Sequence, residues 1–180
     1  MTQAFDIEKL TGYVRQAIRD VFQTMLEMNV QPGDPRLVTE ALAIPNQGIL
    51  ALIGFAGAWV GTGSISCSAE LACLACGRML MSEHQAMDED VLDAMAEITN
   101  MVLGNIKTTL EEDVGPLGLR VPIVVFGPNF YTRSLRRQKW SVVPFTFGEE
   151  RLEVRVCLVR NDAGGVSGRG AHLRQFGAYV

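Results

Sequence analysis

The chain has 180 residues, of which 48% are hydrophobic and 20% charged, with a formal net charge of −4. That length and balance describe one globular domain with a sizeable core rather than a disordered chain. The acidic balance argues against nucleic acid as a main partner, because a phosphate backbone selects a basic surface.

From the N-terminus, Asp6 to Met28 is predicted to be a helix, with Ile7, Leu10, Val14, Ile18, Phe22 and Met25 forming one apolar stripe. Asp6 and Glu8, with no early apolar run, give no secretory signal pattern. The Pro and Gly residues of Asn29 to Pro35 end the helix. Gln47 to Phe55 and Ala58 to Cys67 read as two strands around an Ala56-Gly57 turn. The apolar run Ile49 to Val60 is about a dozen residues and is broken by glycines. A membrane-spanning helix needs roughly 20, so no membrane span is expected.

Ser68 to Met81 returns to helical character, with Ser68 as the N-cap and Glu70 close behind it. Met81 to Met87 is a polar link into a long helix from Asp88 to Glu112, which Gly115 to Leu119 breaks. Val121 to Phe126 is a short strand, with Pro122 near its start where a missing donor matters least. Asn129 to Lys139 is expected to be a loop, and its Arg133, Arg136, Arg137 and Lys139 a solvated basic cluster. Trp140 to Phe147 and Arg151 to Val159 form a second hairpin around Gly148. Leu152, Val154, Val156 and Leu158 make a dry face, and Arg151, Glu153, Arg155 and Cys157 a wet one.

Asn161 to Val180 is Gly-rich and polar, so residues 1–160 are read as one domain and 161–180 as a tail. This order of elements predicts an α+β fold in two layers: a largely antiparallel sheet with long helices packed on it.

The long helix carries the candidate site. Val91, Met95, Ile98, Val102 and Ile106 recur at core-facing spacing. Asp93, Glu97, Asn100, Gly104 and Lys107 follow steps of four, three, four and three, so they share the other face. A carboxylate and a carboxamide thus stand side by side on a stiff support. Cys73 and Cys76 lie inside an apolar helical run, as expected of buried small hydrophobes rather than a redox or zinc motif. The four cysteines lack the spacing of a small disulfide framework, which suits a reducing compartment and makes the cytoplasm the expected location. His84 and His172 stand in no ligand motif, so no metal site is expected, and no nucleophile–base arrangement is evident.

Asp93, Glu97, Asn100 and Pro122, with 21 residues between the last two, resemble a family signature of Asp or Ser, then Glu, Asn and a later Pro. The segment Ala17 to Met28, the Ile53 to Gly57 turn region and the Asn100 to Lys107 run match as well. Together they resemble the CheX branch of the CheC, CheX and FliY phosphatases. The resemblance implies a CheC-like fold and hydrolysis of the aspartyl phosphate of a CheY-like receiver domain. It implies that Asn100 orients the attacking water and that Glu97 docks against the receiver's active-site lysine. Asp93, Gly104 and Lys107 become partner-binding candidates. It also implies a homodimer with one site per chain, no cofactor of its own, and Mg2+ held by the receiver partner. The alternative is a non-catalytic receiver-binding or scaffold module of the same fold.

Overall fold

The computed structural model describes residues 5–39, 44–132 and 138–161. Helix α1 (Ile7–Ile18) starts where Asp6 accepts from the Glu8 and Lys9 amides. It continues into a wider π-helical stretch, Arg19–Met25. There the Leu26 amide donates to the Val21 carbonyl five residues back, at 3.2 Å. The extra residue in the turn moves the apolar stripe by one position. Met25, expected inside, is 60% exposed, and Leu26 and Met28 take its place in the core.

Eight strands follow the order β1 (Gln31–Pro32), β2 (Arg36–Thr39), β3 (Ile44–Gly57), β4 (Trp59–Cys67), β5 (Leu117–Leu119), β6 (Ile123–Thr132), β7 (Lys139–Phe147) and β8 (Glu150–Arg160). They form one sheet in the order β1-β7-β8-β4-β3-β5, with β2 also on β7 and β6 also on β3. Every pairing among the described residues is antiparallel. Both predicted hairpins are present, β3–β4 and β7–β8.

The short strands β1, β2 and β5 were not expected from periodicity, because two to four residues cannot display an alternation. Strand β6 also runs on to Thr132, where a loop from Asn129 was expected. Its pairing with β3 extends it. The arginines at 133, 136 and 137, and the tail beyond Asn161, lie outside the described residues.

Helices α2 (Ala69–Leu80) and α3 (Glu89–Val114) pack on the same core as α1. Ser68 caps α2 by accepting from the Leu71 amide at 3.2 Å, and its hydroxyl also reaches Glu150 on β8. The α+β prediction of helices on a largely antiparallel sheet holds. On β8 the dry face is buried as expected, but Cys157 on the opposite face is fully buried too. Alternation assigns a residue to a face; it does not say whether that face is covered.

Where α3 crosses β4 the contact is close. A methyl group on Gly63 would lie 2.5 Å from a Leu103 methyl and 3.1 Å from the Phe55 ring. All three residues are buried, so the Leu103 side chain would have to shift within a packed core. Gly63→Ala is therefore expected to cost about 1–3 kcal/mol, as overpacking does. Denaturant unfolding checks it, and an unchanged midpoint would mean that α3 does not rest on Gly63.

Candidate functional site on helix α3

Helix α3 owes its start to Asp88, whose carboxylate accepts from the Val91 amide at 2.9 Å. That bond, with His84 behind it, holds the Asp88 carboxyl below its ordinary range. Nine side chains from Val91 to Leu110 face the core. They fix the rotation of the rod and so decide which residues meet solvent.

Asp93 and Glu97 are exposed, while Asn100, Gly104 and Lys107 are half-buried on the same outward stripe. Among the described residues, Asp93, Glu97 and Asn100 have no hydrogen-bond or ion-pair partner. An acid and an amide one turn apart, on a support locked from behind, can receive a ligand without first breaking bonds of their own. The carboxylate is an acceptor that suits a cation; the carboxamide both donates and accepts.

Lys107 differs from its neighbours. Its ammonium donates to Glu111 at 2.8 Å, and Glu111 also accepts from the Leu117 amide at 2.8 Å. Lys107, followed by the Leu117 amide, holds the Glu111 carboxyl below its usual value. This lysine therefore braces the end of α3 against β5. At the same end Lys9 and Tyr13 of α1 both bond Asp113, the tyrosine at 2.6 Å. Thr108 lies on the stripe one turn beyond Gly104, and its hydroxyl donates to the Gly104 carbonyl at 3.0 Å. Continuing the four-residue step past Gly104 would have found it. Pro122 lies in the link between β5 and β6, away from the stripe in sequence and on a different element.

The spacing of ligand-type residues along the chain suggested no metal site. Folding nevertheless brings one such group together among the described residues, with ligand atoms of His84, Asp88 and Asp90 within 4.8 Å of one another. Internal bonds account for it: Asp88 caps α3, and His84 contacts Ser82 at 2.8 Å and Asp88 at 3.2 Å. A groove of about 730 Å³ lies elsewhere, between the start of α2 and the β8 hairpin. Some of its polar groups are engaged: Glu153 pairs with Arg155 and with Arg36 beside the groove, and Ser68 bonds Glu150. The Glu97 and Asn100 pair, by contrast, stands on an outward helix face, which suits a macromolecular partner better than a small ligand.

All four cysteines are free and buried. Burial pushes the Cys67 thiol up to about 12 and Cys157 up to about 11, and raises Cys73 and Cys76 as well. A reactive thiol needs the opposite shift. Native protein at pH 8 is expected to resist alkylation at all four positions until it unfolds. Rapid labelling of Cys73 or Cys76 in the folded state would revive the redox reading.

Residues 49–146 match the family described as chemotaxis phosphatase CheX. The Thermotoga maritima protein CheY-P phosphatase CheX is 30% identical over 157 residues, covering 84% of this chain and 94% of that protein. A CheC-like superfamily protein from Shewanella sp. PV-4 is similar in structure, with TM-score 0.74 and 27% identity over 83% of this chain and 96% of that one. The CheX–CheY–BeF3–Mg2+ complex of Borrelia burgdorferi shares the fold, with TM-score 0.70 and 23% identity over 87% of this chain and 99% of the matched one.

Proposed function

The chain belongs to the CheX family of chemotaxis phosphatases, and from that premise we propose that it hydrolyses the aspartyl phosphate of a CheY-like receiver domain. The observation that carries this reading is the pair Glu97 and Asn100, one turn apart on the solvent face of α3 and without partners among the described residues. In the reaction a water oxygen bonds to phosphorus while the bond from phosphorus to the aspartyl oxygen breaks. The products are a free aspartate carboxylate and inorganic phosphate.

Such phosphoryl transfer asks chiefly for an oriented nucleophile and for support of charge spreading over the phosphoryl oxygens. Asn100 accepts from the attacking water and aligns it with phosphorus; being neutral, it does not repel the phosphoryl group. Glu97 pairs with a cation of the receiver and sets the register of the helix in its cleft. Asp93 extends the same acidic face by one turn. The divalent ion of the proposed reaction is Mg2+ held by the receiver, a reading supported by the presence of Mg2+ in the Borrelia complex. The unpaired cysteines fit work in the cytoplasm.

A receiver phosphorylated by a small phosphodonor provides the test. The wild-type protein should speed loss of phosphate, and Asn100→Ala should slow that loss by about tens- to a thousandfold, as for one lost transition-state contact. Binding of the BeF3-held receiver should change little in that variant. Glu97→Ala should weaken binding about ten- to a hundredfold, the range for a shielded charge-assisted bond. Full turnover by Asn100→Ala would end this mechanism, and binding without any acceleration by the wild type would select the scaffold reading.

The same reading includes a homodimer, supported by β6. This strand pairs with β3 on one side, and Ile123 and Tyr131 along it are 58% and 72% exposed. A long apolar edge of this kind is a template for a second copy, paired antiparallel about a two-fold axis. Sedimentation equilibrium should give twice the chain mass for the wild type and the chain mass for Ile123→Lys. A monomeric wild type at micromolar concentration would refute it.

A further inference from the structure

We propose that Gly104 is a docking determinant: its missing side chain seats the main chain of the receiver's phosphorylation-site rim against α3. This inference rests on the function proposed above and assigns a further residue to it.

A glycine inside a 26-residue helix weakens it relative to alanine. Among the described residues nothing requires one at this position. Gly104 does not have the left-handed backbone of Gly48, Gly57, Gly115 or Gly148. A methyl group built on it would meet no atom within 4 Å. Gly63 and Gly77 are different, because a methyl there would press to 2.5 Å on Leu103 and 2.6 Å on the Ser82 carbonyl. Open space alone does not set Gly104 apart, since Gly12 has it too; its place on the stripe does. It follows Asn100 by one turn and precedes Thr108 by one turn.

Asparagine is short, with one methylene between its main chain and its carboxamide. For Asn100 to reach a phosphoryl group set in a cleft, the backbone of α3 must come down close to the rim of that cleft. Whatever stands one turn later on the same face then meets the rim. Without a Cβ, α3 presents a notch there in which another main chain can approach at Cα–H···O distance. Thr108 already donates to the Gly104 carbonyl, so the floor of the notch needs no further donor from the partner. Gly12 serves as an internal control: it too is a helix glycine with open space at its Cβ, but it lies on α1.

Steady-state kinetics on the phosphorylated receiver, run beside thermal melts, test the proposal. Gly104→Ala and Gly12→Ala should both raise the melting midpoint. Gly104→Ala should raise KM about tenfold and Gly104→Leu about a hundredfold with kcat held, whereas Gly12→Ala should leave both unchanged. A KM for Gly104→Leu within about twofold of wild type, while Asn100→Ala still abolishes acceleration, overturns this inference and leaves the function standing. A lower melting midpoint for Gly104→Ala overturns it too, since the glycine would then serve the fold. If the wild type fails to accelerate dephosphorylation, both readings fall together.

Discussion

Leu103 of α3 rests on Gly63 of β4 with no space for even one added methyl group, and with the other eight buried side chains of the helix it sets how α3 is turned. Because Leu103 points at the sheet, Asn100 and Gly104, its near neighbours along the rod, point half outward. At the far end Lys9, Tyr13, Lys107 and Glu111 tie α3 to α1 and β5. The outward face is thus stiff before any partner arrives, which lowers the entropy lost on docking.

Several polar side chains elsewhere are engaged. Arg36, Arg155 and Glu153 hold one another on the sheet, and Asp88 and His84 close the turn into α3. Glu97 and Asn100, without partners among the described residues, are marked out by standing one turn apart on the outward stripe of α3. A groove is what a small ligand needs; a phosphoryl group already enclosed in another protein needs a projection that can reach it. The candidate site is accordingly a ridge, and in the proposed reading the partner brings the cleft.

Legibility differed between elements for physical reasons. The core stripe of α3 and the exposed stripe opposite it follow from a 3.6-residue period over 26 residues, a signal too long to arise easily by chance. The Ser68 cap was equally readable, because a cap is a local hydrogen bond. The π-helical turn at Arg19–Met25 was not, since the same apolar residues satisfy an ordinary helix until the core selects Leu26 over Met25. Nor were β1, β2 and β5, whose few residues become strands through pairing with distant partners.

The sequence by itself determined which residues could share a face: spacing along a helix or strand places Glu97 beside Asn100 and alternates Val154 with Arg155. Tertiary structure alone decided what those faces meet. Among the described residues it left Glu97 and Asn100 without partners and Gly104 with open space at its Cβ, gave Lys107 to Glu111, and buried Cys157 on the side expected to be wet. Periodicity is a property of neighbours a few residues apart, whereas occupancy of a face depends on segments a hundred residues away.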